Sequence, residues 1–495
     1  MADPNDVPLA HQLLQAFLKP DPVAPTPLER WLPSSGTLPE ITRLGGHHPL
    51  AHALVSALRG IGQVIFINNP LTGLLLLLAM LLQSAEAGLL TLVGIAAAQG
   101  TARALGADRA ARRQGIYGFN GALVGGAVAY FADLGPAAGD PWPGLWWLLA
   151  PVGAALTALL MQGPGRWMVR QLALPPLTLP FCLITWALLL TAGLAHPALP
   201  LNPVAAAAPP VDGPLTALLQ AVPRGFGEVF FLPGMLSGAL ILLAVAVASP
   251  LAALLGIAGA LAGGSAGLLS GASPAAVAQG MFSYDGVLTA LAVGGIFYPL
   301  SRLSLLAAMV AAAASSLLSA PLQLLLTRSG EAISTQGLPL LTFPFIVATW
   351  GALLLLPRLL PNLVPVGLHG QHSPEEHRQR LVVSRTLLAD VRRQLRSSLA
   401  GDRYPQLLAR CDPALVSELE TLFTSLDRNQ DGWLSLSELQ AGLGSQAVGV
   451  NPGTLTDLLT AMDLDGNGRV DAVEFSELLL RLRRLRAAEQ KLLQY

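Results

Sequence analysis

The chain has 495 residues, 53% of them hydrophobic and 12% charged, with a mean hydropathy of +0.55. A soluble globular chain carries about 25% charged residues, so this composition excludes a soluble protein and describes one that lives in lipid. The formal net charge of −1 argues against nucleic acid as a partner, and two cysteines in unlike contexts, Cys182 and Cys411, argue against a disulfide framework or a cysteine-rich metal site.

The chain opens on MADPNDVPLAHQ, which lacks the basic region and short apolar core of a cleaved signal. The first apolar segment is therefore expected to do the targeting, with 1–44 as a cytoplasmic segment. Apolar stretches follow near 60–82, 84–100, 116–132, 144–162, 176–194, 225–248, 250–271, 281–300, 303–327 and 338–357. Several approach the roughly 20 residues that a helix needs to cross the hydrocarbon core. The expectation is an all-α polytopic membrane protein with about ten transmembrane helices, some broken or re-entrant.

Arg103, Arg109, Arg112 and Arg113, then Arg166 and Arg170, Arg302 and Arg358, all fall on connections that share one face if there are ten crossings. The positive-inside rule makes that face cytoplasmic. Both termini then lie inside the cell, and the protein is expected in the plasma membrane, the inner membrane if bacterial.

RGIGQVIFINNPLTG at 59–73 aligns without gaps on RGFGEVFFLPGMLSG at 224–238, an offset of 165 residues. At the same offset FNGALVGG (119–126) meets YDGVLTAL (284–291), and at an offset of 164 LTLPFCLITW (177–186) meets LTFPFIVATW (341–350). Three blocks agreeing to within one residue indicate an internal duplication. An odd number of crossings per half forces the second copy to enter from the opposite side, so two inverted five-helix repeats are expected. Such repeats place solute sites where the halves meet, lined by interrupted helices. The domain boundaries read as 1–44, a first membrane repeat over 45–200, a loop over 201–223, a second repeat over 224–360, a linker with an amphipathic helix over 361–410, and a soluble domain over 411–495.

Polar residues inside lipid are costly unless they face a pathway or one another. Those recurring in both halves are Gln63 with Glu228, Asn120 with Asp285, Thr178 with Thr342, Thr185 with Thr349, and Thr72 with Ser237. Aromatic rings stand beside them: Phe66 with Phe231, Phe119 with Tyr284, Phe181 with Phe345. This lining suits a small, flat, neutral solute that donates hydrogen bonds at its edges. Asn120 and Asp285 are expected to tie down helix breaks, and Phe181 and Phe345 to pack.

The NNPLTG, GFNGALVG and duplicated LT(L/F)PF stretches resemble the signatures of the urea transporters, over roughly residues 40–360. The resemblance implies a passive, channel-like protein, a homotrimer with one pore per subunit, and a filter that stacks dehydrated urea between aromatic rings. Carried across by motif, it implies that Gln63 and Glu228 bind urea amides near the two ends. Phe66 and Phe231 would be slot rings, joined by Phe119 and by one of Phe282 or Tyr284. Val64, Leu123, Val229 and Leu288 would narrow the middle, where Thr178 and Thr342 project. The second half departs from the pattern with LPGMLSG in place of NNPLTG and with Asp285 opposite Asn120.

Beyond residue 360 the composition turns charged and amphipathic, and 374–400 repeats Leu and Val at helical spacing with Arg between. DRNQDGWLSLSE (427–438) and DLDGNGRVDAVE (463–474) then fit the twelve-residue calcium loop, with oxygen ligands at positions 1, 3, 5 and 12 and Gly at 6. The first loop offers Asp427, Asn429, Asp431, the carbonyl of Trp433, Ser435 and Glu438. The second offers Asp463, Asp465, Asn467, the carbonyl of Arg469, Asp471 and Glu474. Two such loops resemble a paired EF-hand domain with two calcium sites. Calcium binding alone does not establish regulation: the pair either changes how the tail packs on the pore or only stabilises its own domain.

No nucleophile triad or phosphate loop is present, so the chain is not expected to be an enzyme. Three rivals to a urea channel remain: a channel for ammonia or a short amide, a proton-coupled transporter using Glu228 and Asp285, and a calcium sensor whose membrane part is an anchor. No histidine lies deep in an apolar segment, and the duplicated polar blocks have no use in an anchor.

Overall fold

The structure is a computed structural model, and it describes residues 34–38, 48–132, 143–195, 210–330, 338–360, 363, 365–366, 372–379, 408, 412–435, 437–438, 459, 462–463 and 467–480. Most of the N-terminal segment and of the expected amphipathic helix at 374–400, and part of the 201–223 loop, lie outside the described residues.

All the regular elements described are helical: α1 Pro49–Gln63, α2 Pro70–Gln83, α3 Ala85–Ala104, α4 Arg109–Arg113, α5 Phe119–Phe131, α6 Pro143–Leu160, α7 Arg166–Leu172, α8 Leu179–Ala195, α9 Pro214–Glu228, α10 Met235–Ala248, α11 Pro250–Leu269, α12 Pro274–Ala278, α13 Tyr284–Leu291, α14 Arg302–Gly330, α15 Phe343–Leu359 and α16 Pro413–Leu426. A π-helical turn at Met161–Gly165 joins α6 to α7, and another at Ala292–Ile296 extends α13. Two compact units result. One comprises Thr26–Leu363 with Gly370–His377, and the other holds the calcium-loop sequences.

By length and composition, three helices among the described residues can cross a membrane: Gly144–Leu172, Pro250–Leu269 and Arg302–Leu325. The other apolar helices are shorter, because several stop at polar breaks. The helix α2 shows how such a segment meets both environments. Leu71, Leu74, Leu78 and Leu82 form an exposed stripe, while Leu76, Leu77 and Met80 are buried. A stripe of bare leucine is the face a lipid chain solvates.

Helix starts follow local chemistry. The Asn69 side chain accepts the N–H groups of Leu71 and Thr72 at 2.8 and 3.1 Å, with Pro70 at the first helical position where a missing N–H costs nothing. Ser84 and Ser249 cap α3 and α11 in the same way. Small residues then bring helices together. A Cβ on Gly94 would lie 2.2 Å from the Gly121 carbonyl oxygen, and one on Gly259 would lie 2.3 Å from that of Gly286. The α3–α5 and α11–α13 contacts therefore repeat each other at backbone distance.

The duplicated sequences build duplicated geometry. α1 and α9 each end in a turn where Phe66 N–H bonds the Gln63 carbonyl and Ile67 N–H that of Gly62, matched by Phe231 to Glu228 and Leu232 to Gly227. This is a Schellman ending, whose left-handed position is usually glycine. Here phenylalanine holds it in both copies, with φ of 62° at Phe66 and 60° at Phe231. A left-handed residue with a side chain costs roughly 1–2 kcal/mol, and the turn retains it because the ring is thereby thrown sideways out of the helix end.

In the tail unit, Leu434 N–H bonds the Val470 carbonyl at 2.9 Å and the two residues form an antiparallel bridge. Leu419, Phe423, Leu426, Met462, Phe475 and Leu478 pack beneath it.

Candidate functional site

The phenylalanine rings at the two breaks are exchanged between the repeats. Phe66 meets Phe345 at 5.9 Å and Phe297 at 6.1 Å, both from the second copy. Phe231 meets Phe181 at 6.1 Å, Phe131 at 5.9 Å and Tyr130 at 5.6 Å, all from the first. Each break thus sits in a cup of rings supplied by the other half; all these contacts except the tilted Tyr130–Phe231 pair are edge-to-face, which fixes ring orientation. Phe181 and Phe345, expected only to pack, are walls of these cups.

Thr178 and Thr342 stand three residues before the cup rings Phe181 and Phe345, and their hydroxyl oxygens are 2.7 Å apart although 164 residues separate them in sequence. Both are almost fully buried, and Cys182 Sγ lies 3.5 Å from Thr342 Oγ1. The residue before each threonine is left-handed, Leu177 at 50° and Leu341 at 51°. Reciprocal bonds clamp the pair: Trp186 donates to the Pro339 carbonyl and Trp350 to that of Pro175, each at 2.8 Å.

The departure at Asn120 and Asp285 has a structural answer. Asn120 Oδ1 accepts from Phe181 N–H at 3.2 Å while its Nδ2 donates to the Leu177 carbonyl at 3.3 Å. Asp285 Oδ1 accepts from Phe345 N–H at 3.2 Å. A carboxylate cannot donate, and the Tyr284 hydroxyl supplies the second bond to the Leu341 carbonyl at 2.6 Å. Tyr284 stands where the first copy has Phe119, so the two substitutions compensate.

The remaining sequence-picked residues divide. Gln63, Val64, Phe119, Leu123, Val229, Tyr284 and Leu288 are all buried, and Glu228 ends α9 as Gln63 ends α1. Gln63 Nε2 donates to the Gln114 carbonyl at 3.0 Å, leaving Oε1 buried without a hydrogen-bond partner. Phe282 packs elsewhere, against Ala217, Ala221 and Val277. Four residues escaped the sequence reading: Tyr130, Phe131 and Phe297 of the ring cups, and Thr91. Thr91, with a buried hydroxyl that has no partner, lines a small cavity with Val64, Leu123 and Phe231.

The sequence matches the family model for "Urea transporter" over residues 54–357, more than half of the chain. The chain belongs to the urea transporter family. Urea transporter 1 of Ovis aries is 32% identical over 328 residues, spanning 65% of this chain and 81% of that relative, and its Rattus norvegicus counterpart is 31% identical over 327 residues with the same coverage. This member of the urea transporter family is accordingly a multi-pass membrane transporter and not an enzyme, and the family implies urea as the permeant.

The tail matches the model for an EF-hand domain pair over 416–480 and is 37% identical over 60 residues to calcium-dependent protein kinase 31 of Arabidopsis thaliana, 12% of each chain. Its loops take the turn of the calcium-loop pattern. Gly432 and Gly468 take the positive φ that loop position 6 needs, at 84° and 79°. Asp427 Oδ2 accepts from Gly432 N–H and Asp463 Oδ2 from Gly468 N–H, each at 2.9 Å, while Asp463 Oδ1 is buried without a partner. Glu438 accepts from the N–H groups of Arg428, Asn429 and Ser435, and Glu474 from that of Asp471. Asn429, Asp431 and Ser435 stand around the first loop, and the Arg469 guanidinium lies over the Trp433 ring at 5.4 Å. Among the described residues no three His, Cys, Asp or Glu side chains converge on one point, and Asp465 lies outside them. The oxygen-only donor set suits a hard cation.

Proposed function

We propose that this protein conducts urea passively, down its gradient, through the slot between the Phe66 and Phe231 cups. The observation that carries the reading is the Thr178–Thr342 pair, two neutral hydroxyls set between flat rings where the two copies meet. Urea entering an apolar slot leaves its water behind, and unpaired N–H groups there cost about 1–3 kcal/mol each. The threonine hydroxyls, Gln63 Oε1 and Thr91 Oγ1 are neutral acceptors able to replace that water, with Glu228 at the far end. Val64, Leu123, Val229 and Leu288 narrow the space so that a hydrated ion does not follow. The unit holds ten crossings in two inverted repeats, forms a homotrimer in the plasma membrane with both termini cytoplasmic, and has domain limits at 45–200 and 224–360. The reciprocal ring and tryptophan contacts, which a two-fold relation produces, support the inversion. Stopped-flow urea entry into liposomes tests the permeant: saturable equilibration well above that of bare liposomes is expected, and none from folded protein would overturn the reading.

The compensation at the breaks makes a sharper expectation. Asn120→Asp alone removes the donor to Leu177 and should slow urea flux about ten-fold, the worth of one buried hydrogen bond. Phe119→Tyr/Asn120→Asp rebuilds the second copy's arrangement and should restore most of it.

The tail carries two calcium sites, with Asp427, Asn429, Asp431, Trp433, Ser435 and Glu438 at one and Asp463, Asp465, Asn467, Arg469, Asp471 and Glu474 at the other. Glu438→Gln removes the negative charge and one of the two ligating oxygens at loop position 12. Calorimetric titration of the full chain should then show one weakened site and one retained, whereas two unchanged sites would count against the assignment.

A further inference from the structure

Residues 372–377 follow the last membrane helix and lead directly into the calcium-loop unit, yet they pack as part of the membrane unit. Ser373, Glu375 and His377 are less than a tenth exposed, and carboxylates are seldom so buried unless paired. Glu375 is paired at a helix start. Its Oε1 accepts from Leu251 N–H at 2.9 Å and its Oε2 from Ser249 Oγ, the cap of α11. Pro374 lies against Gly295 in the π turn that leads to Phe297, with its Cγ 2.7 Å from where a Gly295 Cβ would stand.

Glu376 begins a relay into the slot. Its Oε1 accepts from Thr37 N–H at 3.2 Å and Thr37 Oγ1 at 3.1 Å. The Thr37 carbonyl accepts from Arg59 Nη2 at 2.8 Å, and Arg59 Nη1 donates to the Asn68 carbonyl and Oδ1 at 2.7 and 2.8 Å. Asn68 is two residues from Phe66. Asn69 ties the same segment down, donating to the Gly36 carbonyl at 2.6 Å and to Ser35 Oγ at 2.8 Å. Burial pushes the Glu376 carboxyl up, but hydrogen bonds from His372, Ser373 N–H and Thr37 outweigh it and hold the group near 2. Among the described residues Arg59's counterpart in the second copy is engaged differently. Arg224, the partner of Arg59 in the repeat, bonds Gln220 and the Ala278 carbonyl instead, and LPG replaces the NNP that receives the relay.

We propose that Glu376 is a positioning residue for the Phe66 side of the slot, acting through Thr37 and Arg59, so that the strap entering the calcium-loop unit is built into the filter. The proposal rests on the urea reading. It gives the paired asparagines of NNP their use, as the receiving end of a brace at the first break.

The test is stopped-flow urea flux over a range of urea concentrations for the full-length wild type, Glu376→Ala, Glu376→Gln and Thr37→Val, with N-methylurea as a second permeant and a thermal melt of each variant. Glu376→Ala is expected to raise the half-saturating urea concentration about ten-fold, the effect of a lost hydrogen bond to a charged group, and to change the ratio of urea to N-methylurea flux. Glu376→Gln, which keeps an acceptor for Thr37, and Thr37→Val, which keeps the backbone bond, should fall between. A lowered melting temperature with unchanged half-saturation and ratio would overturn the proposal, since the strap would then be structural only, and so would variants identical to wild type. A wild type that does not conduct urea would refute the permeant instead.

Discussion

Replacing both central threonines, Thr178→Val/Thr342→Val, should reduce saturable urea flux by about thirty-fold or more while leaving the protein folded. Valine keeps the branched shape and removes only the hydroxyl, so the slot retains its dimensions to within the small spreading that two methyl groups require in place of oxygens 2.7 Å apart. What it loses is the place where a passing urea exchanges the threonines' mutual hydrogen bond for its own. Two amide N–H groups left without acceptors in an apolar constriction cost about 1–3 kcal/mol each, and every 1.36 kcal/mol added to a barrier is a factor of ten in rate. Thr178→Ser/Thr342→Ser keeps both hydroxyls and should retain most of the flux. Wild-type rates in the valine pair would move the selective step away from the centre and leave the ring cups as the filter.

The breaks were legible in the sequence because glycine, proline and amides recur at one offset inside apolar runs. The duplicated positions could therefore be picked out residue by residue. Features without a counterpart at that offset were not. Thr91 has Gly256 at the matching place, so duplication could not single it out. The relay from Glu376 to Asn68 joins three distant stretches by hydrogen bonds, and no periodicity encodes it. The exchange of Phe119 and Asn120 for Tyr284 and Asp285 was visible as a difference, but only geometry shows that a tyrosine hydroxyl does the work of an amide. Phe282 and Tyr284 could not be separated by composition either; packing puts the first in a satellite cluster and the second beside Thr342. Helix length misleads for a related reason. α1 and α9 have 15 residues each and stop at their breaks, so a count of apolar stretches runs ahead of the helices long enough to cross a membrane.

Gly73→Ala and Gly238→Ala should each abolish the folded, conducting protein. The two glycines align in the repeat, and a Cβ on either would stand 1.8 Å from a backbone carbonyl oxygen, that of Leu58 or that of Pro223. Neither obstacle is a side-chain tip that can swing aside. Relief requires α1 to move off α2, or α9 off α10, and each pair is joined through the turn that holds Phe66 or Phe231 in its left-handed conformation. The displacement would therefore carry the slot ring out of its cup at the same time as it opens the helix contact, at an expected cost above about 4 kcal/mol. Gly100→Ala is the internal control. It lies on α3 with nothing within 4 Å of its added Cβ, and alanine is the better helix former by about 1 kcal/mol, so its melting temperature and urea flux should match or exceed those of wild type. If Gly73→Ala behaved like Gly100→Ala, close backbone contact at the breaks would not be what holds the rings in place, and the brace through Arg59 would have to carry that role at Phe66.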